Sequence, residues 1–198
     1  MNRGLEMQTP PVELIALLRS HADQAGLWQP ILYAKGQLIE TRRDAPPRLV
    51  IVEHGLVKLS YVTAEGEEWI KSFIVAEGLF DQISAKGEPV IEAVCLEPTQ
   101  AITLSLAWAR ELAGRDADVQ RAVDTFWLWL SAKKRLRESE LLCSTPSQRY
   151  HVFQTDQTTL TARLSQGDIA RYLGITPIAF SRIKRRLRAP AHLSSQES

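Results

Sequence analysis

The chain has 198 residues, of which 44% are hydrophobic and 24% charged, with a formal net charge of +1. These values exclude a disordered or fibrous protein and leave room for one large domain or two small ones. No apolar run approaches the roughly 20 residues that span a bilayer, and "MNRGLEMQTPPVELIALL" lacks a secretory signal's apolar centre and cleavage site, so a cytoplasmic protein without a membrane partner is expected.

Val12, Ile15 and Leu18 recur at helical spacing and predict a short N-terminal helix. From Leu27 the texture changes to brief β-branched and aromatic runs, punctuated by Gly36, Pro46, Pro47, Gly55, Gly66 and Gly78. That rhythm marks an antiparallel sandwich or barrel, and "PVIEAVCLEPTQAITLSL" adds two more strands with a turn at Glu97 and Pro98. The expectation is an α+β chain whose first part is a double-sheet antiparallel β-roll of the jelly-roll kind, ending near Leu106.

Between Asp116 and Leu142 there is neither glycine nor proline, and Val119, Val123, Phe126 and Leu130 form one apolar stripe along a long helix. Trp127, Leu128 and Trp129 widen the stripe beyond what one adjacent domain needs. The expected dimer interface is therefore Val119, Val123, Phe126, Trp127 and Leu130, with "KKRLRESE" as solvated flanks; a deeply buried core helix is the alternative. The tryptophans read as packing residues rather than a ligand cage. Thr145, Pro146 and Gln148 then form a Thr-x-x-Gln capping box with proline at the first helical position, which opens a further helix. The expected division is 1–114 for the β-roll, 115–144 for the dimerisation helix and hinge, and 145–198 for a C-terminal helical domain.

Charge is distributed unevenly across that division. Residues 1–144 hold 16 Lys and Arg against 20 Asp and Glu, whereas residues 145–198 hold 8 against 3, which points the C-terminal part at a polyanion. Its centre is "LSQGDIARYLGITPIAFSRIKRR", Leu164 to Arg186. Ser165 is a helix N-cap with Asp168 in the first turn, Ile169, Ala170 and Leu173 make the apolar face, and Gly174 ends the helix. After Ile175, Thr176 caps and Pro177 begins a second helix to about Leu187, with Ile183 and Leu187 expected to point inward. Two helices joined by a tight turn, the second basic, form a helix-turn-helix whose second helix fits the major groove of DNA. Pro177, Ile178, Ser181 and Arg182 are expected to face base edges, with Arg182 placed for a bidentate contact to guanine; Lys184, Arg185, Arg186 and Arg188 read as phosphate partners, and Ser165 and Thr176 are expected to belong to the DNA-binding set as well. A generic helical hairpin with a charged end is the bland alternative, but it does not require cap, glycine, cap and proline at these offsets.

A glycine-punctuated β-roll, a long helix and "IARYLGITPIAFSRI" together resemble the Crp/Fnr superfamily of bacterial transcription regulators over essentially the whole chain. The resemblance implies a homodimer on a two-fold symmetric double-stranded DNA site, Arg182 as the base-reading arginine, a winged helix-turn-helix, and RNA polymerase as a further partner. It also departs from the family. Where cyclic-AMP-binding members hold the phosphate with a glycine–glutamate pair and an arginine–hydroxyl–alanine triplet, this chain has "EGLFDQISAKGEPVIEA": Gly78 remains, Asp81, Gln82 and Ile83 replace the pair, and Ile91, Glu92 and Ala93 replace the triplet. With Lys86 the one cation in that segment, no response to cyclic AMP is expected. Gly78, Phe80, Asp81, Gln82, Glu92 and Ala93 mark where an unidentified small-molecule effector would sit. The end "RAPAHLSSQES" lacks the alternation of a wing and is expected to be short or disordered.

No cofactor or metal is expected. His21, His54, His151 and His192 lie far apart, and Cys95 and Cys143 are too few for an iron–sulfur cluster held by cysteine alone and read as plain thiols. No nucleophile elbow, P-loop or His-x-x-x-His pair is present, so the protein is not expected to be an enzyme. The competing function is a small-molecule sensor or protein-interaction module in which the β-roll is the working part.

Overall fold

The glycine-punctuated region folds as antiparallel strands in two sheets, as its rhythm predicts. The computed structural model describes residues 12–39, 46–82 and 91–188. By its internal contacts the chain divides into two units, Met1–Glu138 and Ser139–Ser198. The first contains α1 (Val12–Gln24), then β1 (Pro30–Tyr33), β2 (Arg48–His54), β3 (Leu56–Val62), β4 (Glu68–Val75), β5 (Gly78–Gln82), β6 (Ile91–Cys95) and β7 (Thr99–Ser105), followed by α2 (Leu106–Arg115). A long helix, α3 (Ala117–Cys143), starts in the first unit and ends in the second.

One sheet has the order β1-β7-β2-β5 and the other β4-β3-β6, with every described pairing antiparallel. The run "LVIV" of β2, Leu49 to Val52, is apolar without interruption because both of its faces are covered. Val50 and Val52 point into the roll, where they meet Val57 and Leu59 of β3, Phe80 of β5, Ala93 and Cys95 of β6, Ala101 of β7, and Ile39. Leu49 and Ile51 point the other way and join Ile102 and Leu104 beneath a helical layer. That layer supplies Leu14, Leu18 and Ala22 from α1, Leu112 from α2, and Val119, Ala122 and Phe126 from α3.

Helix α3 begins on a side-chain cap. One carboxylate oxygen of Asp116 accepts from the backbone N–H of Asp118 at 2.9 Å and of Val119 at 3.2 Å, while the other lies 3.1 Å from His21 Nε2 at the end of α1. These bonds to donors that an isolated helix end leaves unsatisfied hold the carboxyl of Asp116 below the usual aspartate range, the Val119 amide first among the causes.

The second unit consists of the end of α3 with α4 (Pro146–Asp156), α5 (Thr158–Thr161), α6 (Gln166–Tyr172) and α7 (Pro177–Arg188). The expected capping box opens α4: the Gln148 N–H donates to Thr145 Oγ1 at 3.3 Å and the Thr145 N–H to Gln148 Oε1 at 2.8 Å. Tyr150, Phe153, Leu160, Ile169, Ala170, Leu173 and Phe180 are buried. Tyr150 meets Phe180 edge to face with ring centres 4.8 Å apart, and Phe153 lies 5.2 Å from Tyr172. The segment after Arg188, where a wing would lie, is outside the described residues. Among the described residues no helix is long and apolar enough to cross a membrane.

Candidate nucleic-acid interface

The local chemistry that the sequence announces is built as expected. Ser165 Oγ accepts from the Asp168 N–H at 3.0 Å and donates to Asp168 Oδ2 at 2.6 Å, so the buried carboxylate is fixed over the first turn of α6. At the other end Gly174 takes φ of +69°, and the amides of Ile175 and Gly174 donate to the carbonyls of Ala170 (3.1 Å) and Arg171 (3.2 Å). This is the Schellman arrangement, in which a left-handed residue lets the chain satisfy the last helical carbonyls while turning away. Thr176 Oγ1 then accepts from the Ala179 N–H at 3.2 Å, and α7 starts at Pro177.

The rotation of α7 about its axis is set by Phe180, which is 1% exposed. The expected anchors were Ile183 and Leu187. Ile183 is half-buried, but Leu187 is 58% exposed and needs correcting. The reason is length: α7 has 12 residues and α6 has 7, so the last turn of α7 extends past its neighbour. Ile178 and Arg182 each stand two residues from Phe180, roughly 200° round the helix at about 100° per residue, and both are exposed. Pro177, Ser181, Arg185 and Arg186 are exposed as well, and Ser165 and Thr176 mark the exposed start of each helix. Lys184 departs from the set: it is half-buried, its ammonium 5.8 Å from the centre of the Phe180 ring.

The six residues expected to mark an effector site lie on different sheets. Gly78, Phe80, Asp81 and Gln82 are on β5, and Glu92 and Ala93 on β6. Phe80 and Ala93 meet inside the roll as parts of its apolar filling, with Ile91 packed against them. Glu92 is directed to the opposite face of its sheet, in register with Ser60 of β3, so it does not stand where a ligand in the roll would meet it. Asp81 is exposed, and Gln82 donates to the Ile39 carbonyl at 3.2 Å. Gly78 has a backbone reason to be glycine, because a Cβ there would lie 2.8 Å from the Val75 carbonyl oxygen. Ile83 and Lys86 fall outside the described residues.

No protein-family model and no curated protein matches the sequence. Solved structures do match. FixK2 from Bradyrhizobium japonicum is 20% identical with a TM-score of 0.66, over 81% of this chain and 84% of that one. The c-di-GMP-responsive global regulator CLP of Xanthomonas campestris is 13% identical with a TM-score of 0.69, over 90% and 95%. A Crp/Fnr-family transcriptional regulator from Eubacterium rectale is 14% identical with a TM-score of 0.67, over 86% and 85%. The chain has the Crp/Fnr fold.

Within the Crp/Fnr fold the long helix distributes its residues differently from the expected interface. Val119 and Phe126 are buried in the core of their own unit, with Val123, Trp129 and Leu130 packed against it, so the stripe that reads as a seam serves that core. Of the five residues expected to contact a partner, Trp127 alone is exposed, at 51%. Leu128 and Leu142, two heptads apart, are exposed at 74% and 77%. The sequence reading also missed Arg149. Its side chain is buried, and it donates from Nε to the Leu173 carbonyl at 3.0 Å and from one terminal nitrogen to the carbonyls of Ser144 at 2.7 Å and Leu141 at 3.3 Å. One guanidinium thus serves the C-terminal ends of both α3 and α6, where the helix dipole favours a cation. A lone arginine in "QRYHVF" carries no sequence signal for this. Cys95 is buried, which pushes its thiol above the ordinary range, and Cys143 is exposed.

Proposed function

We propose that the protein is a DNA-binding transcription regulator that acts as a homodimer and reads a two-fold symmetric site through α7. The observation that carries this reading is the construction of α7: Phe180 anchors one side while Ile178, Arg182 and Arg185 stand on the other, in the C-terminal stretch, residues 145–198, that holds 8 Lys and Arg against 3 Asp and Glu. A helix with that division enters a major groove with its anchored side toward its own domain. The solved relatives support it as far as their names go, one being called a transcriptional regulator and another a regulator of gene expression.

Homodimerisation through α3 is supported by the exposed apolar Trp127, Leu128 and Leu142, which the core of the chain leaves uncovered. In a two-fold dimer the two recognition helices would stand one DNA turn apart, roughly 34 Å. We further propose that the regulator does not answer to cyclic AMP. Ile91 and Ala93 fill the inner side of β6 with apolar atoms, and a cyclic phosphate placed there would lose its hydration without gaining a cation from that strand.

Selection from a randomised duplex pool tests the reading. The expected result is enrichment of an inverted repeat, bound by the wild type and lost in Arg182→Ala, with no change in affinity on addition of cyclic AMP. Absence of any enriched sequence would overturn the assignment.

A further inference from the structure

We infer that Ile178 is a specificity-determining residue that reads the 5-methyl group of a thymine, one or two base pairs from the guanine read by Arg182. The inference rests on the proposed function and deepens it, because it names part of the sequence that the site takes.

The argument is geometric. Ile178 is 69% exposed, although it is a large apolar side chain in the first turn of a helix that has a buried side available. Singly exposed apolar residues are ordinary, so exposure alone decides nothing. What distinguishes Ile178 is its phase: with Arg182 it forms an i, i+4 pair diametrically away from the Phe180 anchor, on the one line of α7 farthest from its own domain. Pro177, the other exposed apolar residue of this turn, is three residues from Phe180, roughly 300° round, and so flanks the packed side instead. Any duplex surface that meets Arg182 meets Ile178 beside it.

Chemistry then selects the ligand. Ile178 has no hydrogen-bonding atom in its side chain and cannot pair with the donors or acceptors of adenine, guanine or cytosine. Among the four bases, thymine alone presents an apolar group, its 5-methyl, in the major groove. Four residues of helix advance about 6 Å, and base pairs stack about 3.4 Å apart, so the two contacts fall within two steps of each other. The thymine can belong to either strand.

The experiment compares sites that differ by one methyl group. From the enriched duplex, the thymine within two base pairs of the Arg182 guanine is replaced by deoxyuridine, which keeps every hydrogen-bonding group and removes the methyl. The wild type is expected to bind about fourfold more weakly, the effect of one buried methyl at about 0.8 kcal/mol, whereas Ile178→Ala binds both duplexes within twofold of each other. Ile178 is on the surface, so the variant folds, and its circular dichroism spectrum and melting temperature verify that. Equal binding of the two duplexes by the wild type, or an unchanged ratio in Ile178→Ala, would overturn the inference while leaving DNA binding intact. An enriched site lacking thymine within two base pairs of the guanine would overturn it too. No enriched site at all would remove the regulator reading itself, a different result from all of these.

Discussion

Single residues at helix ends account for much of the second unit's definition, and Arg149 is the clearest. A buried guanidinium that donates to the carbonyls of Leu141, Ser144 and Leu173 satisfies acceptors that two helix termini otherwise leave open. Arg149→Met keeps most of the apolar stem and removes every donor, so it is expected to destabilise the second unit by about 3 kcal/mol, the cost of leaving buried carbonyls unpaired. Urea unfolding measures this, and Arg149→Lys should recover less than half of the loss, because one ammonium does not reproduce a planar fork reaching two helix ends. Asp116 at the start of α3 gives a pH-dependent counterpart. Its carboxyl is held below the ordinary value by bonds from the Val119 and Asp118 amides, so the stability it contributes is present above about pH 4 and lost as pH falls through the lowered value. The difference in urea midpoint between the wild type and Asp116→Asn is expected to shrink from pH 6 toward pH 2. A difference that stays constant across that range would show that the charge is not what caps the helix.

At the scale of elements, the long helix separates what the sequence carries from what it does not. Its extent was legible because a run without glycine or proline and with apolar spacing of three and four residues has one backbone solution. Which flank faces what was not legible, because Val119, Ala122 and Phe126 suit a neighbouring subunit and the domain's own sheet equally well; the sheet's outer residues, Leu49, Ile51, Ile102 and Leu104, settle it. Similarly, the caps Ser165, Thr145 and Thr176 were readable because capping is local, while the role of Phe180 was not, since burial depends on which helices α7 meets. Glu92 illustrates the same boundary. Its position beside Ala93 was evident, but the face it takes follows from strand register, which is a long-range property. With the inner stripe of α3 used by the core, the outer one is left for the proposed self-association. Leu128→Glu combined with Leu142→Glu is therefore expected to give a monomer by sedimentation equilibrium with an unaltered melting temperature, whereas Val123→Glu, placed against the core, should lower the melting temperature instead. A double variant that remains dimeric would place the interface elsewhere.

For the molecule as a whole, the separation of charge decides how binding depends on salt. A net charge of +1 gives no long-range attraction for DNA, so whatever attraction exists comes from the local concentration of cations in the second unit. Among the described side chains of α7 the exposed cations are Arg182, Arg185 and Arg186, Arg188 lying outside them. With Arg182 proposed to read a base edge, Arg185 and Arg186 are the expected phosphate partners among these three. Each neutralised phosphate contributes about 0.9 to the slope of log affinity against log salt, so a dimer that loses both arginines from both subunits should show a slope shallower by roughly 3 to 4. Arg185→Ala combined with Arg186→Ala is accordingly expected to weaken binding to every duplex alike, most at low salt, and to leave the order of preference among sequences unchanged. Arg182→Ala should do the reverse: a small change in slope and a levelling of affinity between the enriched site and a site with the guanine replaced, a difference of about 1 to 3 kcal/mol per half-site in the wild type. Fluorescence anisotropy at four salt concentrations with both duplexes separates the two effects. If the double arginine variant altered sequence preference, or Arg182→Ala changed the slope as much as the pair does, the division of α7 between a base-reading Arg182 and phosphate-holding Arg185 and Arg186 would be wrong.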